Sequence, residues 1–257
     1  MSDVSDWWQT AIIDMEPGKI AFRGRPVQDL IQSAGFVETI WHLVLGTQAT
    51  AGQLRILEAA LVAAVDHGPQ APSIAAARMA ATCGVGLNNA MATGVNLLGD
   101  VHGGAGQQCL ELLQALVEAG PTEVAAEALV ADYQRDVGRH IPGFGHRFHR
   151  PEDPRTQPLF EVARQAADGG VNLTYLTAAE RLQQAISQGK PQGVAVNIDG
   201  ATAALYGAIG VPAELARGLF CISRSVGILA HAWEQRQQGG RNKGPTPPHY
   251  RWTYTGP

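Results

Sequence analysis

Cysteine is scarce in this sequence. The three present, Cys83, Cys109 and Cys221, lie far apart among small or apolar neighbours, with no CxxC pair. That excludes a disulfide framework and a thiolate zinc site, and fits reduced, buried thiols in a cytoplasmic protein. Long apolar runs are also missing. No stretch of about 18 uninterrupted apolar residues occurs, so no membrane span is expected. The opening MSDVSDWWQTAIIDMEPG carries early acids and no apolar stretch of signal-peptide type. Charge is sparse at 16% of residues, and the net value is −4, which argues against a general nucleic-acid binder. Gly/Ser linkers and internal repeats are lacking, so the chain does not read as beads on a string.

What is there is a large apolar complement, 45% of 257 residues, enough for a substantial core. The N-terminal TAIIDMEPGKIAFRG sets Pro17-Gly18 between two short apolar runs, which predicts a β-hairpin within 8–25. From Pro26 the spacing of Val27, Leu30, Ile31, Val37, Ile40, Trp41, Val44 and Leu45 predicts helix, ending at Gly46. Further helices are expected over 50–65 with Thr50 as cap, 73–83, 88–98, 107–119, 122–137 with Thr122 as cap, 158–167, 176–187, 194–208, 213–220 and 221–237. The fold class is therefore mainly α, a multi-helical fold with a short N-terminal β-hairpin. Residues 1–156 and 193–257 are expected to form a large helical domain, with 157–192 as a smaller helical lobe. The tail from Gly239, GGRNKGPTPPHYRWTYTGP, is too rich in breakers for helix. It is either disordered or extended across a partner.

Four segments combine polar side chains with glycine or proline in ways that packing alone does not require. These are DHGP at Asp66–Pro69, HGGA at His102–Ala105, IPGFGHRFHRPEDPR at Ile141–Arg155, and NIDG at Asn197–Gly200. Each has a plainer reading. His67 can cap a helix C-terminus, His-Gly-Gly can serve close packing, and Asp-Gly can turn the chain. Together they supply imidazoles that move protons near neutral pH, a carboxylate that can move one at carbon, and guanidinium groups that fork onto carboxylates. That set suits making or breaking a carbon–carbon bond beside a thioester, with a dicarboxylate as partner. A metal site is disfavoured, because the histidines lack helical i, i+4 pairing and no cysteine stands near them.

These same segments, in this order, resemble the citrate synthase superfamily. GKIAFRGRPVQDL is similar to its N-terminal opening, and LFCISRSVGILAHAWEQR to its late helix, with Arg224 in the matching place. The resemblance runs from Ile12 to about Arg236 and implies a citrate synthase-like fold. DHGP, the arginine directly after His146, and NIDG are similar to the citryl-CoA lyase module of ATP-citrate lyase. In its shortness the chain resembles the free-standing citryl-CoA lyases. The ending GRNKGPTPPHYRW replaces the family's Arg-Pro segment, leaving Arg241, Lys243 and Arg251 as candidate substitutes.

The resemblance implies a citryl-CoA lyase that cleaves citryl-CoA to acetyl-CoA and oxaloacetate without a metal or prosthetic group. Coenzyme A enters only as part of substrate and product. By the same implication His146 takes the hydroxyl proton, His102 bonds the thioester oxygen, and Asp199 protonates the departing carbon. His67, Arg155 and Arg224 hold the dicarboxylate. Pro142, Gly143, Phe144, Gly145, Arg147 and Arg150 form the CoA site. A homo-oligomer is implied too, with the Ala/Gly-rich helices of 73–98 as candidate contact. His42, His140 and His231 read as structural and His149 as incidental. Two alternatives stand beside the lyase. One is a short synthase condensing acetyl-CoA with oxaloacetate or another 2-oxo acid; the other is a non-catalytic protein that binds CoA thioesters.

Overall fold

A computed structural model describes residues 4–242, 244, 246, 247 and 249–257. A short helix α1 (Val4–Trp7) precedes three antiparallel strands, β1 (Ile13–Glu16), β2 (Lys19–Phe22) and β3 (Arg25–Pro26), in the order β1-β2-β3. The hairpin turns at Pro17-Gly18 as expected, with Gly18 at φ 82° and Glu16 paired to Lys19. The third strand was not anticipated, since two residues carry no readable alternation.

Helices follow: α2 (Val27–Ser33), α3 (Phe36–Leu45), α4 (Ala51–Ala64), α5 (Pro72–Thr82), α6 (Leu87–Val95), α7 (Ala105–Ala119), α8 (Glu123–Asp136), α9 (Thr156–Gln165), α10 (Thr174–Ser187), α11 (Ile198–Ala208) and α12 (Ala213–Gln237). Local chemistry explains several ends. Thr50 closes a capping box with Gln53, each side chain meeting the other's backbone amide. Thr122 Oγ1 accepts from the Ala125 amide, and Gly46 ends α3 in the left-handed region.

Three helix expectations need correction. The stretch from Pro26 to Leu45 breaks at extended Ala34 and Gly35 into α2 and α3. The stretch 213–237 is one helix of 25 residues, because nothing at Phe220-Cys221 interrupts its hydrogen bonds. Residues 194–197 are extended, not helical. Val196 bridges to Phe144, Gly145 N donates to Ala195 O, and Asn197 N donates to Gly143 O. That pairing lies across the fold, so helical periodicity in 194–208 could not reveal it.

Helix α11 is buried on nearly every side from Ile198 to Ala208 and forms the centre of the main core. Ile56, Leu57, Leu110, Leu113 and Leu205 pack there. Leu159 and Phe160 of α9, and Leu176 and Leu182 of α10, belong to the same cluster. Ile74, Ala77, Ala90, Ile228 and Ala232 form a second, smaller cluster joining α5, α6 and α12. Among the described residues no helix is long and apolar enough to cross a membrane. The described part of the tail beyond Gly240 has neither helix nor strand, and Lys243 lies outside the described residues.

Candidate active site

The start of α11 sets the first catalytic candidate. Asn197 Oδ1 accepts from the amides of Asp199 and Gly200, which caps the helix. Asn197 Nδ2 donates to Gly145 O at 2.8 Å, so one side chain joins the helix start to the glycine loop. Gly200 permits this approach: a Cβ there would collide with the Gly143 carbonyl oxygen. Gly143, at φ 84°, leaves no room either, because its Cβ would lie 2.8 Å from Gly200 Cα. The Asp199 residue keeps part of its surface open. Burial nevertheless pushes its carboxyl above the ordinary carboxylate value, while Arg224 and Arg155 pull it down and Asp153 adds to the rise.

His102 sits where α5 begins. Its Nε2 accepts from the Ser73 amide at 3.2 Å and lies 2.9 Å from Ser73 Oγ. An accepting Nε2 leaves the ring proton on Nδ1, which becomes the donor for a ligand. Burial, then the charge of Arg224, holds its pKa below the usual imidazole value.

His146 is held through its other nitrogen. Nδ1 accepts from the amides of Phe148 and His149, each at 3.0 Å, so the neutral ring carries its proton on Nε2. His149 stacks on it with ring centroids 4.4 Å apart, and His67 meets it edge-on at 5.9 Å. Burial and then His149 lower the His146 pKa, with Asp153 opposing.

The guanidinium groups complete the cluster. Arg224 on α12 is 3% exposed; its Nε donates to Ala64 O and its head lies 4.7 Å from the Phe220 ring centre. It acts electrostatically on His67, His102 and Asp199 together. Arg155 makes a two-point contact with Asp153, at 2.9 and 2.7 Å, and its charge reaches His67, His146 and Asp199. His67 is exposed at the mouth, yet burial of its ring and then Arg224, Arg155 and His146 lower its pKa. The fold thus brings His67, His102, His146, Arg155, Arg224 and Asp199 around one centre, from five separate segments.

A cavity of about 570 Å3 opens beside this centre, with His146 in its wall. Of the residues expected at a CoA site, Phe144, Gly145 and Arg150 line it. Pro142, Gly143 and Arg147 do not: Gly143 is buried against α11, and Arg147 lies over the Phe148 ring at 5.3 Å. Arg139, His140 and Lys190 line the cavity instead and were not foreseen. They are exposed cations or imidazoles with no motif around them. Ser73 and Asp153 were also missed as functional supports, because a hydrogen bond to a ring and a buried ion pair have no sequence period. Among the described residues, no group of three or more His, Cys, Asp or Glu is placed to hold a metal ion.

Known proteins are similar to this chain in sequence and fold. The model for the citrate synthase C-terminal domain matches residues 45–246. A citrate synthase of Haloferax volcanii is 27% identical over 213 residues, covering 82% of this chain and 53% of its own. One of Heyndrickxia coagulans is 30% identical over 216 residues, covering 83% and 54%. The chain spans about half the length of these curated relatives. Citryl-CoA lyase from Hydrogenobacter thermophilus superposes with a TM-score of 0.86 at 30% identity, over 97% of this chain and 96% of that one. ATP citrate lyase of Methanosaeta concilii, in complex with (3S)-citryl-CoA, shares the fold at a TM-score of 0.83 and 21% identity, over 97% of this chain and 42% of that one. Since the matched residues hold His67, His102, His146, Arg155, Asp199 and Arg224, and the multi-helical fold is common to all these structures, the chain belongs to the citrate synthase family.

Proposed function

We propose that this protein is a citryl-CoA lyase, converting citryl-CoA to acetyl-CoA and oxaloacetate. The observation that carries the reading is Asp199, a carboxyl kept protonated more readily than usual by burial, beside Arg224 and a histidine fixed as a donor. A protonated carboxyl is what the departing carbon needs. The near end-to-end match to a citryl-CoA lyase supports the lyase arm, against coverage of about half of the synthases.

Cleavage breaks the bond between the carbinol carbon of citryl-CoA and the carbon next to the thioester. His67, Arg155 and Arg224 hold the carboxylates of the oxaloacetate portion, so the substrate is oriented before the bond breaks. His102 Nδ1–H meets the thioester oxygen, where enolate charge develops. Asp199 then gives its proton to the enolate carbon, which becomes the acetyl methyl group. The hydroxyl proton passes to His146 Nε2. The bonds from Phe148 and His149 to Nδ1 present Nε2 as a donor in this arrangement. Cleavage therefore requires that turn to release Nδ1, which takes up the ring proton and frees Nε2 to accept. The proton count balances: one leaves the hydroxyl and one reaches carbon.

CoA occupies the 570 Å3 cavity. Arg139, Arg150 and Lys190 supply positive charge for its phosphates, and the extended 194–197 segment supplies a wall. In this reading 157–192 is the lobe beside the cofactor, since Ile186, Gly189 and Lys190 face the cavity. A homo-oligomer is part of the proposal: α12 exposes Val226 and Trp233 on its outer side, and α5 exposes Met79.

Oxaloacetate release from citryl-CoA, followed by malate dehydrogenase and NADH loss, tests the reading. Thiol release from acetyl-CoA plus oxaloacetate is measured on the same sample. Fast cleavage with little synthesis is expected. No cleavage with thiol release establishes the short synthase, which the curated relatives named citrate synthase favour. CoA binding with silence in both assays overturns the enzyme.

A further inference from the structure

Helix α5 reaches two of the three histidines in the site. Ser73, in its first turn, holds His102 directly. Arg78, further along, reaches His67 through two intermediates. Its Nη1 lies 3.3 Å from His231 Nδ1 on α12 and donates to Glu234 Oε2 at 2.7 Å; its Nη2 donates to Gln238 Oε1 at 3.0 Å. A guanidinium has only N–H donors, so it requires the lone pair of Nδ1 and leaves the His231 ring proton on Nε2. That Nε2 lies 3.1 Å from Asp66 Oδ1. The other Asp66 oxygen accepts from the Gly68 amide at 3.1 Å, and the His67 amide also turns towards this carboxylate. Asp66 therefore shapes the backbone turn that carries His67.

Packing makes the geometry specific. Gly227 of α12 lies so close that a Cβ would strike Val65 O and stand 2.9 Å from Asp66 Oδ1. The absent side chain lets α12 approach the end of α4, where Ser223 Oγ donates to Leu61 O at 2.5 Å and Arg224 Nε to Ala64 O at 3.1 Å. His231 on the same helix then meets Asp66. A histidine that packed only for bulk would not need an arginine on one nitrogen and a carboxylate on the other.

We propose that Arg78, His231 and Asp66 form a positioning relay that holds the His67 turn for the dicarboxylate. This rests on the reading of His67 as a ligand of the oxaloacetate portion. None of the three touches substrate; they fix the turn from behind. Together with the Ser73–His102 bond, the relay makes α5 the common frame for the dicarboxylate end and the thioester end of the site.

Titration calorimetry with oxaloacetate and with CoA, on wild type, His231→Leu, His231→Gln and Arg78→Met, tests the relay. His231→Leu is expected to weaken oxaloacetate binding at least about tenfold, with CoA affinity within about twofold. His231→Gln, whose amide N–H can replace Nε2–H, is expected to recover most of the loss. Unchanged oxaloacetate affinity in His231→Leu overturns the proposal, as does parallel loss of both ligands without rescue by Gln. Should His231→Leu fail to fold, Arg78→Met decides, with weaker oxaloacetate binding expected and wild-type affinity overturning it. Wild type that binds no oxaloacetate and cleaves no citryl-CoA refutes the functional reading alone. The 15N-imidazole signals of His67 need no ligand and still test the relay. They are expected to move in His231→Leu and return in His231→Gln; fixed signals overturn it.

Discussion

The amide of Ser73 donates to His102 Nε2 at 3.2 Å, so a helix start dictates which nitrogen of this proposed catalytic histidine carries the proton. The main chain supplies this bond, which makes it robust to side-chain change. Ser73→Ala is expected to retain turnover within about threefold, since only the Oγ contact is lost. His102→Ala is expected to lose at least about 100-fold, because no donor then meets the enolate oxygen. Steady-state kinetics on citryl-CoA measures both, and equal losses in the two variants contradict the assignment.

Asp199 predicts a limb in the pH profile of cleavage. Its pKa is raised by burial, so the acid form persists to higher pH than for an ordinary carboxylate. The proposed cleavage uses the acid form, so kcat/KM for citryl-CoA is expected to fall as pH rises through that pKa. The reaction takes up no net proton, so the efficiency of synthesis by the same enzyme is expected to follow the same profile. Asp199→Asn is expected to remove that limb and cut turnover at least about 100-fold. A limb that survives in Asp199→Asn would show that another group delivers the proton to carbon.

The cavity predicts separable binding defects. Lys190→Ala and Arg139→Ala each remove a cation from its lining. Each is expected to raise the apparent KM for the CoA thioester severalfold, with a weaker response to added salt than wild type shows. Oxaloacetate affinity, set at the other end of the site, is expected to stay unchanged. Arg147→Ala, whose side chain lies over Phe148 outside the cavity, is expected to leave CoA affinity alone. Calorimetric titration with CoA distinguishes these outcomes.

Gly200→Ala places a methyl group against the Gly143 carbonyl oxygen, a backbone atom that cannot step aside. The loop and the α11 start must separate, and Asn197 loses its hold on Gly145. A stability loss of about 1–3 kcal/mol is expected, with a larger proportional loss of activity. Denaturant melts and turnover on the same sample test it. Wild-type activity at reduced stability would show that the contact serves the core and not the site.

Much of the candidate site was legible because its residues sit in short segments where breakers and titratable groups coincide. His102 before two glycines, His146 after a Gly-Phe-Gly run, and Asp199 between a capping Asn and a Gly are each local patterns. The supports around them were not. His231 read as structural, yet it meets Asp66 at 3.1 Å only because Gly227 brings α12 against the end of α4. Asp153 belonged to a recognised segment, but its burial and its grip on Arg155 belong to the folded chain.

The sequence by itself determined the helical class, the N-terminal hairpin, the caps at Thr50 and Thr122, and the segments that gather at the candidate site. These depend on hydrophobic spacing and on groups a few residues apart. Tertiary structure alone decided that residues 194–197 are extended, that α12 runs unbroken, and which nitrogen of His102, His146 and His231 holds its proton. Extended pairing of 194–197 with the loop at Phe144 is a bond between distant segments, and so is the approach of α12 to α4. The tautomers of His146, His102 and His231 follow from amides and a guanidinium that come near only after collapse. Periodicity reports a residue's local neighbours; proton placement depends on neighbours that the fold supplies.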